Sequence, residues 1–173
     1  MKKILFISSS RADYGLLREV IIEMQKINKE TYLMVTGSHL SDVFGKTIAE
    51  IKKDKIKNIT KKKLLNKNFN EKNISNYIAK SINLTSNVIH KKKPDVVVIL
   101  GDRYELLGSA IAAMTFRVPI VHIHGGEVTQ GAYDDSIRHS ITKLSHLHFP
   151  VHNEYKRRLI QLGENPKAIF NYG

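Results

Sequence analysis

Val96-Val97-Val98-Ile99-Leu100-Gly101-Asp102-Arg103-Tyr104-Glu105 dictates the architecture of this chain. Five consecutive apolar residues, most of them β-branched, leave no polar alternation, so a strand here must be covered on both faces. That is the signature of a parallel sheet flanked by helices. The run ends in a glycine and an acid, and a helical pattern follows at once. On its upstream side Pro94 closes a long helical pattern over 74–90, with Ile74, Ile78, Ile82, Thr85 and Ile89 on one side. On its downstream side a helix over 103–115 carries Gly108, Ser109, Ala110, Ala112 and Ala113, small enough for close packing against a sheet. A fifth strand over 119–124 then runs into Gly125-Gly126-Glu127.

The same alternation extends to both ends of the chain. A buried strand at 4–7 precedes a helix over 14–27 with Leu16, Leu17, Val20, Ile21 and Met24 at helical spacing. A second strand at 32–35 ends in Thr36-Gly37-Ser38; a helix follows at 43–51, then a weak third strand at 56–59 and a polar loop over 61–73. After the fifth strand come a helix over 134–144, a short sixth strand at 146–149, a helix at 154–162 and an extended piece at 167–172. The expectation is a single α/β domain of 173 residues, a Rossmann-like doubly wound parallel sheet in the order 3-2-1-4-5-6.

Composition narrows the function. A chain 42% hydrophobic is globular, and no apolar run is long enough to span a bilayer. Met1-Lys2-Lys3-Ile4-Leu5-Phe6-Ile7 resembles the start of a signal peptide, but its apolar stretch is short and meets Ser8-Ser9-Ser10-Arg11 without a small-residue cleavage site, so a first strand and a cytoplasmic protein are expected. With no cysteine, disulfides, thiolate nucleophiles and cysteine-based zinc sites are excluded. The net charge of +12 raises the possibility of a basic nucleic-acid-binding domain, and lysines crowd the asparagine-rich stretch from Lys52 to Lys93. Only Phe69 and Tyr77 offer stacking surfaces there, so a solvated lysine face with no nucleic-acid partner is the expected reading.

In the expected strand order the loops after strands one, four and five open onto one crevice at the carboxyl ends, where ligands bind in such sheets. They carry Ser10, Arg11 and Asp13; Asp102 and Arg103; and Glu127, followed by Asp134 and Asp135. Several have structural explanations. Ser10 with Asp13, and Asp102 with Glu105, fit capping boxes, and Asp134 or Asp135 fits a helix N-cap. Glu127 sits in a glycine-rich loop with no structural duty apparent from the sequence. Arg11 lies where a helix N-terminus already favours an anion such as phosphate. Neither a Walker loop, a Gly-x-Gly-x-x-Gly turn nor a Gly-x-Ser-x-Gly elbow occurs.

His122 and His124, two apart on a strand, are expected to share a face, which makes them a ligand pair to weigh beside Glu127 or Asp134; simple hydrogen bonding is the alternative, and no metal is expected. On the helix over 134–144, Ile137, Ile141 and Leu144 form the buried stripe, and Asp134 with Arg138 and Asp135 with His139 are four apart. Such pairs either decorate the surface or orient acids for proton transfer.

Ser10-Arg11-Ala12-Asp13-Tyr14-Gly15, Gly101-Asp102-Arg103-Tyr104-Glu105, His122-Ile123-His124-Gly125-Gly126-Glu127 and Asp134-Asp135-Ser136-Ile137-Arg138-His139 together resemble the hydrolysing UDP-N-acetylglucosamine 2-epimerases of sialic and legionaminic acid biosynthesis. The resemblance runs the length of the chain. It implies the N-terminal half of a two-domain GT-B fold, with the nucleotide-binding C-terminal half absent from this chain and little activity without it. It implies conversion of UDP-GlcNAc and water to N-acetylmannosamine and UDP, or the same reaction on a related UDP-2,4-diacetamido-trideoxyhexose, by C2 deprotonation, loss of UDP and hydration. No metal or redox cofactor enters that chemistry, and the full-length protein would be a homo-oligomer. By motif position the resemblance implies acid–base work for Asp102, Glu127 and Asp134, with Asp135 in reserve. It implies a diphosphate contact for Arg11, orientation of the acids by Arg138 or His139, and further substrate contacts from Asp13, Arg103 and His124. Some relatives carry glutamate at the position of His124, so here Glu127 takes that role or His124 shares it.

Overall fold

The computed structural model describes residues 2–41, 47–64, 70–129 and 133–172. Its elements follow in the order β1 (Ile4–Ser8), α1 (Arg11–Ile27), β2 (Thr31–Val35), a 3-10 turn (Gly37–Leu40), α2 (Ile48–Lys53), β3 (Ile59–Lys61) and α3 (Glu71–Lys92). Then come β4 (Val96–Leu100), α4 (Tyr104–Thr115), β5 (Ile120–Ile123), α5 (Asp134–Leu144), β6 (Leu147–Phe149), α6 (Asn153–Gln161) and a 3-10 turn (Pro166–Ala168). The strands form one parallel sheet in the order β3-β2-β1-β4-β5-β6. β1 and β4 are therefore neighbours, with Phe6 opposite Val98, and the switch point lies between them as the sequence predicts.

The sheet is buried on both faces by two apolar layers. Leu17 and Ile21 of α1 and Ile51 of α2 pack with Phe6, Leu33 and Val98 on one face. Val88 and Ile89 of α3, Ala110 and Ala113 of α4, and Ile137 and Ile141 of α5 pack with Leu5, Ile7 and Ile99 on the other. Leu5, Ile7 and Ile99 are fully buried, and each contributes roughly 1.5–3 kcal/mol of hydrophobic stabilisation. The small residues of α4 serve a helix as well as the sheet. A Cβ on Gly108 would lie 2.6 Å from the Ile78 carbonyl oxygen of α3, and the Ser109 hydroxyl meets that of Thr85 at 3.0 Å.

Several elements differ from expectation, α1 among them, which starts at Arg11 and not at residue 14. The third strand is Ile59–Lys61, because Lys55 and Asn58 take left-handed backbone angles and Ile56 turns its side chain into the α1 layer before pairing starts. α3 begins at Glu71, inside the stretch expected to be loop: the Asn70 side chain caps it, accepting from the Asn73 N–H at 2.9 Å. The final segment turns through Pro166–Ala168 and then bridges the outer edge of β6, where Ile169 pairs with His148. Of the helix expected over 43–51, residues 43–46 lie outside the described residues.

Candidate functional site

At the end of β1 the chain turns into α1 through a complete capping box. Ser10 accepts from the Asp13 N–H at 3.3 Å, and the Asp13 carboxylate reaches back. One oxygen of Asp13 accepts from the backbone N–H groups of Ser9 and Ser10 and from the Ser9 hydroxyl, each at 2.9 Å; the other accepts from the Ser8 hydroxyl. Because Ser8 donates to Asp13, its oxygen accepts from His39 Nε2 at 2.8 Å, and His39 Nδ1 in turn takes the Thr47 hydroxyl proton at 2.7 Å. These groups are buried and mutually satisfied, which gives Asp13 a structural duty at a position the resemblance assigns to substrate. Arg11 projects outside this network, mostly exposed, and pairs with Glu50 at 3.1 Å.

The end of β4 behaves differently. Arg103, not Asp102, occupies the N-cap of α4, and no side chain caps that helix. Glu105, the expected capping partner of Asp102, is fully buried and holds the Arg103 guanidinium through two bonds of 3.1 and 2.9 Å. Burial alone would lower the pKa of Arg103, but the Glu105 carboxylate outweighs it and holds the guanidinium above its ordinary value. Asp102 is left to turn across the sheet edge to α5, where it forms an ion pair with Arg138.

That pair corrects the expected ladder on α5. Arg138 meets Asp102 and not Asp134, and the same Nη2 also donates to the Thr129 hydroxyl at 3.0 Å. The Thr129 N–H points to Asp135 at 3.3 Å, and Asp135 pairs with His139 at 3.4 Å as its spacing predicts. Asp102, Arg138, Thr129, Asp135 and His139 thus form one connected group. Tyr133 holds the N-cap position of α5 and no side chain caps the helix, so neither Asp134 nor Asp135 is used as a cap. Asp134 makes no hydrogen bond or ion pair among the described residues. Arg138 is almost entirely buried, yet its Nε and Nη1 find no acceptor among the described residues, and His139 Nδ1 is likewise unpartnered. Buried guanidinium N–H groups are costly to leave unpaired, so an acceptor at these nitrogens would be favoured.

Glu127 stands in the loop that follows β5. It pairs with His124 Nδ1 at 2.8 Å, in a loop bent by left-handed backbone at His124 and Gly126. A Cβ on Gly126 would strike the Tyr155 carbonyl oxygen at 2.5 Å, and Arg158 of α6 donates to the Gly126 carbonyl at 2.5 Å. Glycine is required there, and α6 clamps the loop that carries the acid.

His122 and His124 do not share a face. The positive φ of His124 removes it from strand alternation, and it lines an apolar groove with Leu16 and Val20 of α1. His122 points the other way, towards Thr142 of α5. Among the described residues no group of three or more His, Asp or Glu side chains is arranged to hold a metal ion. Within the lysine-rich stretch, α2 covers one face of the sheet and α3 the other. Among the described residues no helix is long and apolar enough to cross a membrane. Thr129 escaped sequence reading, since a loop threonine belongs to no periodic pattern.

The model of the UDP-N-acetylglucosamine 2-epimerase family matches residues 22–173. The chain belongs to that family. It is 46% identical over 99% of its length to the GDP/UDP-N,N'-diacetylbacillosamine 2-epimerase (hydrolyzing) of Campylobacter jejuni, covering 45% of that protein. It is 38% identical over its whole length to the UDP-N,N'-diacetylbacillosamine 2-epimerase (hydrolyzing) of Legionella pneumophila, covering 46% of it. The crystal structure of UDP-GlcNAc 2-epimerase from Neisseria meningitidis bound to UDP-GlcNAc superposes with a TM-score of 0.86 at 21% identity, over 98% of this chain and 45% of that one. The chain thus spans less than half the length of these relatives, and its six-stranded sheet has the fold of the matching part of the Neisseria structure.

Proposed function

We propose that this chain forms the N-terminal half of a hydrolysing UDP-sugar 2-epimerase, which turns a UDP-2-acetamido sugar and water into the free C2 epimer and UDP. The observation that carries the reading is Asp102. A strand-end acid released from helix capping meets a buried arginine whose Nε and Nη1 have no acceptor among the described residues, and Thr129 links that pair to a second acid.

In this reading a carboxylate at the mouth takes the proton from C2 while the C1–O bond breaks and UDP departs, leaving a 2-acetamidoglucal. Water then adds its oxygen at C1, and C2 is protonated from the opposite face. Acids on both sides of the ring suit this sequence, since one must accept a proton and another must give one. Asp102, on its own strand end, and Glu127, held by His124 on the next, are the leading pair; Asp134 is the third acid and Asp135, engaged with His139, the reserve. Arg138 and Arg103 supply fixed positive charge, and Arg11, on the first turn of α1, remains the group for the diphosphate.

Similarity to the Campylobacter and Legionella proteins favours a 2,4-diacetamido sugar, and UDP-GlcNAc is the second reading, supported by the family description. In the same reading the protein works in the cytoplasm as a homo-oligomer. The test is NMR product analysis of the chain extended to the length of its relatives, with both UDP-sugars, in D2O. UDP release, deuterium at C2 and a free epimerised sugar are expected. An epimer still attached to UDP, or no turnover of either sugar, would overturn the proposal.

A further inference from the structure

We propose that His122 is a positioning residue of this site, a single imidazole that ties together the three segments carrying the candidate acids. The role rests on the 2-epimerase reading above; the geometry does not.

His122 is fully buried at the centre of β5. Its Nε2 lies 2.9 Å from the Gly101 carbonyl oxygen, which can only accept, so Nε2 carries the proton. Burial, opposed only in part by the Gly101 bond, lowers the pKa of His122 to about 4, so the ring is neutral near pH 7. Nδ1 is then a bare acceptor, and the Thr142 hydroxyl donates to it at 3.2 Å. Gly101 immediately precedes Asp102, and its own N–H donates to the Ile123 carbonyl at 3.0 Å, so β5 grips that glycine from both sides. Thr142 lies one helical turn beyond Arg138 on α5. The imidazole therefore joins the two elements that the Asp102–Arg138 ion pair joins, and acts as a second strut beside it.

The third segment rests on the same ring. A Cβ on Gly125 would stand 3.0 Å from His122 Nδ1 and 3.2 Å from the Thr142 hydroxyl, so the start of the loop that leads to Glu127 is seated directly on this hydrogen bond. A leucine would fill the volume of His122 but make neither bond. A glutamine can donate to Gly101 and accept from Thr142.

The experiment compares H122L, H122Q and T142V in the chain extended to its relatives' length, reading kcat and KM for UDP release on folded protein. ¹⁵N NMR of the 173-residue chain reads the tautomer of His122 directly. Expected are an Nε2–H tautomer, a fall in kcat of about a hundredfold in H122L with KM nearly unchanged, recovery to within about tenfold in H122Q, and an intermediate loss in T142V. An Nδ1–H tautomer, or wild-type kcat in folded H122L, would overturn the role. If H122L does not fold, T142V is the deciding variant, and wild-type kcat there overturns the role as well. Wild-type protein that releases no UDP would remove the epimerase reading and the role with it; an active wild type beside unaffected variants would remove the role alone.

Discussion

Asp13 and Asp102 stand at the ends of adjacent strands, each at the threshold of the helix that follows, and their surroundings are opposite. Asp13 is enclosed: both oxygens are taken by donors from Ser8, Ser9 and Ser10, and His39 and Thr47 close the network behind them. Asp102 leaves its own helix uncapped and reaches another element, where its arginine partner has donors without an acceptor among the described residues. A carboxylate whose acceptor capacity is saturated by its own turn stabilises the fold and has little left for a ligand. One held by a single long-range partner keeps acceptor capacity for a ligand.

The contrast is tested most severely by Asp102→Asn and Asp13→Ala in the extended chain. Asp102→Asn is expected to slow UDP release per folded molecule by about a thousandfold, within the range that loss of a proton-transfer group produces. Asp13→Ala is expected to cost about 3 kcal/mol in urea unfolding, because it strands buried donors, while the rate per folded molecule changes little. Equal loss of rate in both variants would erase the distinction.

A third test concerns the ring behind Asp102. Folded His122 titrates at about 4 against an ordinary value of 6.5, so between these values the unfolded chain binds more protons. Stability from this group is therefore full above pH 6.5 and is lost as pH falls towards 4, to the extent of roughly 3 kcal/mol. Chemical denaturation across that window should show this excess acid sensitivity in the wild type and not in H122Q. Identical pH dependence would mean that the ring is already charged or exposed. The smallest effect is expected at Arg11, on the β1 side. Its exposed pair with Glu50 predicts a stability loss under about 1 kcal/mol for Arg11→Ala. A raised KM for the UDP-sugar would add a ligand role to that arginine.

Much of this molecule was legible in one dimension. The apolar run at Val96–Leu100 demanded a sheet buried on both faces, and the alternation around it led to the strand order found. The capping box of Ser10 and Asp13 was readable because both partners lie within one turn. The same motif at Asp102 and Glu105 misled, since Glu105 is claimed by Arg103 and Asp102 by a residue 36 positions away. The spacing of Asp135 and His139 on α5 predicted their pair, whereas that of Asp134 and Arg138 did not, because Arg138 had a partner on another element. Asn70 capping α3 was hidden in a polar stretch that looked like loop.

Local patterns, then, were enough to establish which segments are strands, which faces are apolar and which acids stand at the strand ends, because periodicity and turn chemistry act over a few residues. Which of those acids is spent on the backbone, and which pairs with an arginine of a distant helix, came from packing. Side-chain partners across a sheet are chosen by proximity in space, and no spacing along the chain encodes that.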